Sequence, residues 1–139
     1  MFLAGALPYL VLGIAHALAT PHGSTERKGL SPADPSMAEA MVRARVLLTG
    51  RTDLWRAWVG FNFSHSLGAV LFGAVVVLAG RGSASFAVNA PVFLPLAVTV
   101  SAAYLALAVL YWFRTPIVGC CLGFALFASA WALRLAVGP

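Results

Sequence analysis

The sequence has few charged residues and almost no cysteine. Of its 139 residues, 9% are charged and 61% are hydrophobic, whereas an ordinary soluble domain carries about 25% charged residues. The two cysteines, Cys120 and Cys121, are neighbours. They cannot form the disulfide framework of a small secreted protein, because framework bridges join separate parts of a chain. The composition indicates a chain whose surface faces lipid.

Acidic residues are the scarcest charges. The four that occur are Glu26, Asp34, Glu39 and Asp53, and none lies inside an apolar segment long enough to span a membrane. The carboxylate of a typical proton relay is therefore missing. The sequence also lacks a phosphate-binding glycine loop, a zinc-protease HExxH pair, a CxxC pair and a hydrolase elbow. We predict no catalytic residue and no metal site, and we expect a protein that is not an enzyme.

The net charge of +5 raises the question of nucleic acid. Six of the nine basic residues lie between His22 and Arg56, and all four acids lie among them. A mixed-charge loop beside apolar segments is better explained by contact with membrane lipid headgroups. No nucleic-acid partner is expected.

Four apolar segments have the length that a membrane span requires, about 20 residues at 1.5 Å each. They cover about residues 2–20, 54–80, 91–113 and 116–137. The first could be a cleaved signal peptide, but it lacks a basic start and exceeds the usual apolar length of about 15 residues. We predict an all-α protein, a four-helix transmembrane bundle that forms a single domain over residues 1–139.

The first loop contains a further helix signal over residues 36–48. Ser36 is the predicted N-cap, with Glu39 at capping-box spacing. The apolar stripe of this helix consists of Met37, Met41, Ala44 and Leu48. The helix could lie in the headgroup region as a cytoplasmic interfacial helix, or it could cover the end of the bundle.

Basic residues are unevenly divided between the two sides of the predicted spans. Seven lie on the side of the first loop and Arg114, and only Arg81 and Arg134 lie on the other. The positive-inside rule places the first loop in the cytoplasm and both termini on the outer side.

The densest motif opens the second span, over residues 55–68. Trp55, Arg56 and Trp58 suit an interfacial anchor, because indole rings sit at headgroup depth and a guanidinium reaches outward. Further along the same stretch, Asn62 and His65 lie about 10 and 15 Å inside the hydrocarbon at helical rise. Polar groups at that depth should face protein or a cavity.

Two residues on other spans reach similar depths, His16 on the first and Tyr104 on the third. We therefore predict a polar cluster of His16, Asn62, His65 and Tyr104, with Ser64, Ser66 and Thr99 as lesser candidates. The cluster could supply interhelical hydrogen bonds that only fix packing. The alternative is that it binds a lipophilic ligand, since an ionisable group in a span is a functional candidate. No cofactor is predicted outright; haem, quinone or pigment are those that such a cluster could hold.

Small residues mark places where helices can approach closely. They include Gly60, Gly68 and Gly73 on the second span, and Gly119-Cys120-Cys121-Leu122-Gly123 on the fourth is a small-xxx-small step. Such residues serve either packing within the bundle or docking on an outer face.

Two stretches carry a resemblance to known proteins. They are Gly13-Ile14-Ala15-His16 and the Trp-Arg-Ala-Trp-x-Gly-Phe-Asn-x-Ser-His-Ser-Leu-Gly sequence of residues 55–68. On these residues the chain resembles an uncharacterised family of small bacterial four-helix integral membrane proteins. The resemblance implies the same fold. Together with the positive-inside rule, it leads us to expect a multi-pass protein of the bacterial inner membrane with both termini periplasmic. It implies no activity.

Two functional hypotheses follow. The first is a non-enzymatic accessory or structural subunit of a larger bacterial membrane complex, with membrane lipids and other integral membrane subunits as partners. A respiratory or photosynthetic complex would be a suitable host. The second is a binding protein, carrier or enzyme for a quinone, lipid or pigment, which would use the His, Asn and Tyr cluster.

Overall fold

The computed structural model of the chain describes residues 1–82 and 92–137. Most of them are helical. The helices are α1 (Phe2–Ala19), α2 (Pro35–Arg43), α3 (Leu54–Gly82), α4 (Phe93–Tyr111) and α5 (Arg114–Val137). Between α2 and α3, strands β1 (Arg45–Val46) and β2 (Thr49–Asp53) pair as an antiparallel hairpin. The expected start of the third span at residue 91 lies outside the described residues.

Helices α1, α3, α4 and α5 are long and apolar enough to cross a membrane. Their apolar parts contain 18, 28, 19 and 24 residues, close to or above the number that a bilayer requires. These helices indicate a multi-pass membrane protein. The prediction of a helical protein is confirmed for the described residues, and so is the prediction of four helices long and apolar enough to span a membrane.

The first loop differs from the expected helix over residues 36–48. The helix α2 begins one residue earlier, because the Asp34 side chain accepts the backbone N–H of Ser36 and so caps it, and Pro35 needs no N–H partner at the first helical position. It ends at Arg43, because Ala44 is extended and its carbonyl accepts the backbone N–H of Leu54 at 2.9 Å. The remaining residues form the hairpin instead.

The chain divides into two units. Unit 1 comprises residues 1–12 and 69–139, and unit 2 comprises residues 13–68. Helices α1 and α3 contribute residues to both units. The prediction of one domain therefore stays a prediction.

Segments of all four long helices share the core of unit 1. Phe127 on α5 is fully buried, and its ring packs against Phe2, Tyr9 and Phe72 at centroid distances of 5.9, 6.2 and 5.8 Å. Aromatic pairs at these distances add stability beyond the area that they bury. The other buried members of this core are Ala6, Val76, Leu94, Ala97, Ala108 and Cys120.

Glycines allow the helices of unit 1 to approach one another. A Cβ at Gly123 would lie 2.5 Å from Cε2 of Tyr9, and a Cβ at Gly119 would lie 2.7 Å from Cδ1 of Leu12. Side chains of α1 therefore pack directly against both glycines of the small-xxx-small step on α5. Internal packing explains these two glycines.

Unit 2 contains the end of α1, the first loop and the start of α3. Thr20 and Pro21, which follow α1, are fully buried. Asp53 accepts the backbone N–H of Arg56 at 2.8 Å and so caps the first turn of α3. The capped start of α3 therefore positions the motif of residues 55–68.

Candidate functional site

Three of the four predicted cluster residues lie in unit 2. His16 is near the C-terminal end of α1, and Asn62 and His65 are on α3. The Nε2 atom of His16 and the Oδ1 atom of Asn62 are 2.8 Å apart. Two residues separated by 46 positions in the chain are therefore joined by a hydrogen bond between the two helices.

The Asn62 side chain is buried and bonded at both ends. Its Nδ2 group donates to the carbonyl oxygen of Trp58 at 2.8 Å. Because a carbonyl can only accept, this bond identifies Oδ1 as the acceptor in the other contact. His16 must then carry a proton on Nε2 and donate it to Asn62. The amide is 4% exposed, which is consistent with the rule that buried polar groups are hydrogen-bonded.

Two hydroxyl groups extend this network along the helix backbones. Thr20 Oγ1 donates to the carbonyl of His16 at 2.8 Å, and Ser66 Oγ donates to the carbonyl of Asn62 at 2.9 Å. Both bonds join a hydroxyl to the carbonyl four residues earlier, a common way to satisfy Ser and Thr within helices. Sequence reasoning missed Thr20, although its spacing from His16 was a usable signal.

His65 lies at the edge of the network. Its ring centroid is 5.3 Å from that of His16, with the planes tilted by 58°. It also stacks on the ring of Phe61, with a centroid distance of 6.2 Å and an angle of 20° between the planes. His65 is half-buried, whereas Phe61 is 64% exposed. The imidazole pair therefore connects the buried amide to the outer surface of α3.

The chemistry of this cluster is hydrogen bonding. The Asn62 amide is engaged by His16 and Trp58, so an imidazole is the group of the cluster that can orient a carbonyl or hydroxyl group. Among residues 1–82 and 92–137, no group of three or more His, Cys, Asp or Glu side chains comes together to hold a metal ion.

Tyr104 is described within unit 1. Its ring contacts Tyr9 at 5.6 Å and Phe72 at 6.4 Å. Its membership of the predicted polar cluster stays a prediction. The lesser candidates Ser64 and Thr99 are exposed and donate to carbonyls of their own helices, those of Phe61 and Pro95.

The predicted anchor residues have different environments. Trp55 is only 4% exposed and packs against Trp58 at 5.4 Å. Its indole N–H is buried without a hydrogen-bond partner among the described residues. The Arg56 side chain is 76% exposed, with Nε 3.6 Å from Oδ2 of Asp53. Trp55 thus packs inside unit 2, and the anchoring role of the three residues stays a prediction.

Comparison of the chain with protein families, with curated proteins and with solved structures finds no match.

Proposed function

We propose that the chain is a non-enzymatic accessory or structural subunit of a larger bacterial membrane complex, and that it docks through the outer face of α3. The observation that carries the proposal is the open position of Gly60. A Cβ there would meet no atom of the described residues within 4 Å, whereas one at Gly73, Gly119 or Gly123 would meet side chains of α1. Gly60 is therefore not needed for packing within the described chain.

Gly60 belongs to a face of α3 that has the form of a helix-docking surface. Gly60 and Ser64 are both exposed and form a small-xxx-small step. Serine has a small side chain, and the Ser64 hydroxyl donates to a carbonyl of its own helix. This position therefore projects little from the helix surface. The large exposed side chains of Phe61 and Leu67 flank the step. Contact with lipid alone requires no small pair, whereas a second helix can approach closely there.

The absence of catalytic motifs supports a non-enzymatic role for this surface. The buried amide network of His16 and Asn62 would then keep α1 and the start of α3 in register. A respiratory or photosynthetic complex is the host that we propose, on the general ground that such assemblies contain small integral membrane subunits.

A substitution at Gly60 tests the docking role. We expect the native chain to co-purify with integral membrane subunits in mild detergent, and Gly60→Leu to lose them because the added side chain fills the step. Ala103→Leu is the matched control, since Ala103 is exposed on α4. Mass spectrometry of the purified material identifies the partners. A native chain that purifies alone, or a Gly60→Leu variant that keeps its partners, contradicts the proposal.

We also propose a location in the bacterial inner membrane with the first loop cytoplasmic and both termini periplasmic. The seven-to-two division of basic residues supports this orientation. In the same proposal α2 lies in the headgroup region. Its Arg43 side chain is exposed beside Glu39, at 3.6 Å.

A second candidate function is binding of a quinone, lipid or pigment. The stacking of His65 on the exposed ring of Phe61 favours it, because a flat ligand with a carbonyl group could continue the stack and accept a hydrogen bond. A haem suits the cluster less well, since Nε2 of His16 is already engaged by Asn62.

Analysis of the purified protein tests this second candidate. We expect a bound chromophore in the visible spectrum or a stoichiometric lipid by mass spectrometry. His65→Ala should release it while helical circular dichroism is unchanged, and Ser64→Ala should retain it. A native protein that carries neither a chromophore nor a lipid eliminates the candidate.

A further inference from the structure

The tip of the β1–β2 hairpin exposes two leucines. Val46 and Thr49 are paired across the strands, so Leu47 and Leu48 form the connection between them. Their exposures are 106% and 93%, the highest of the large apolar residues described. Full burial of a leucine is worth about 1.5 to 3 kcal/mol, and neither side chain receives that stabilisation from the described chain.

Local turn chemistry does not account for these leucines. Two-residue hairpin connections favour Asn, Asp and Gly, which tolerate the required backbone angles. Leucines at these two positions go against the residue preference of the turn, and no packing contact within the described chain compensates for them. A sequence that departs from local rules in this way often marks an interaction.

The hairpin is held next to a membrane span. Strand β2 ends at Asp53, and the membrane-crossing helix α3 begins at Leu54. The backbone N–H of Leu54 donates to the carbonyl of Ala44 at 2.9 Å, directly before β1. Both ends of the hairpin are therefore fastened to the first residue of the span, and the hairpin must lie close to the membrane surface.

The charges around the tip are basic. Arg45 precedes the leucines and Arg51 follows them, and both side chains are exposed. Neither forms an ion pair within the described part of the chain, whereas Arg43 and Arg56 are each near a carboxylate. Guanidinium groups bind phosphate in a bidentate manner. At a bilayer surface the lipid phosphates lie outside the acyl chains. Two arginines without an ion pair beside an apolar tip fit this arrangement, because the arginines can bind the phosphates while the leucines contact the acyl chains.

We propose that the hairpin tip is a membrane-inserting element: Leu47 and Leu48 enter the headgroup and acyl boundary of the bilayer that the chain spans, and Arg45 and Arg51 bind anionic lipid phosphates. This inference goes beyond the proposed accessory role and holds whichever host complex the chain joins.

Spin-label depth measurement in vesicles tests the inference. A nitroxide is attached at Leu48→Cys in a background of Cys120→Ala and Cys121→Ala, in vesicles of phosphatidylcholine alone or with phosphatidylglycerol. We expect the label about 5 to 10 Å inside the boundary, accessible to oxygen and shielded from an aqueous nickel chelate. The matched control is Gly23→Cys in the same loop, where no neighbouring atom lies within 4 Å; its label should be in water.

The lipid charge gives a second readout. We expect deeper insertion with phosphatidylglycerol, and loss of that difference in a variant that also carries Arg45→Gln and Arg51→Gln. A Leu48 label as water-accessible as that at Gly23 in both vesicles overturns the inference. A label shielded in native membranes but not in vesicles also overturns it, in favour of a protein partner. Leu47→Cys provides an independent label if Leu48→Cys does not retain native circular dichroism.

Discussion

Asn62 is the residue on which the polar network of unit 2 depends. It joins α1 to α3 through His16 and is bonded to Trp58 within its own helix. In lipid no water replaces a lost partner, so removal of the amide takes away the acceptor that the half-buried His16 ring uses for its Nε2 proton. A packing role and a ligand-binding role both require this bond, because it orients the ring of His16 beside that of His65.

A double-mutant cycle measures the bond between His16 and Asn62. We expect Asn62→Ala to lower the free energy of unfolding in bicelles, with a coupling to His16→Ala of about 0.6 to 1.7 kcal/mol. Ser64→Ala is the control, because that hydroxyl is exposed and bonds only within α3. Purely additive effects of the two substitutions would show that the bond adds nothing to stability.

Glu26 provides a pH-dependent contact in the first loop. The backbone N–H of His22 donates to its carboxylate at 2.7 Å, and the Lys28 ammonium lies at 2.9 Å. These two groups lower the pKa of Glu26 from 4.5 to about 2. Because the folded pKa is the lower one, the carboxylate stabilises the turn above pH 4.5, and this contribution is lost as the pH falls towards 2.

A titration of the Glu26 carboxyl group tests this pH range. We expect an NMR midpoint near 2 in the native chain in micelles. Lys28→Ala should raise it only part of the way, because the His22 donor remains. A native midpoint near 4.5 contradicts the contacts.

At the scale of elements, the start of α3 organises unit 2. Asp53 is 8% exposed, caps the helix through the N–H of Arg56, and ends the hairpin. The same turn therefore defines where the membrane span begins and where the hairpin is attached. A carboxylate at a helix N-terminus is also favoured by the helix dipole.

Removal of that cap should loosen the first turn of α3. We expect Asp53→Ala to cost about 1 kcal/mol and Asp53→Asn to cost much less, since asparagine also caps helices. Hydrogen exchange at the amides of Trp55 and Arg56 measures the change. Thr52→Ala is the neighbouring control, and an equal loss of protection in both variants would contradict a specific capping role.

For the whole molecule, the proposed orientation in the membrane is based on the distribution of basic residues. Four spans return the chain to the side from which it started, so both termini share one side. The first loop and Arg114 occupy the other. Seven basic residues on that side are the reason for proposing, under the positive-inside rule, that it faces the cytoplasm.

Labelling with a membrane-impermeant maleimide tests this orientation in spheroplasts. In the cysteine-free background, we expect Val137→Cys to react from outside, because this residue is 83% exposed at the end of α5. Gly23→Cys should react only after permeabilisation. The reverse pattern would show that the loop faces outward.

The amino-acid sequence was sufficient to predict which segments are long and apolar enough to span a membrane. The expected segments at about 2–20 and 54–80 correspond to Phe2–Ala19 and Leu54–Gly82. Runs of apolar residues are local properties, and the length of a span follows directly from the thickness of the bilayer. Helical periodicity and depth also brought His16 and Asn62 together as candidates.

Which helix faces are internal became visible only in the folded chain. A membrane span is apolar on all sides, and lipid is as apolar as a protein core. Composition therefore does not reveal that the Tyr9 side chain packs against Gly123, whereas no side chain of the described residues packs against Gly60. Nor does local propensity reveal that α2 stops at Arg43, because the bond from Leu54 to Ala44 is made between distant residues. The hairpin that exposes the two leucines is held by this bond and by the pairing of β1 with β2.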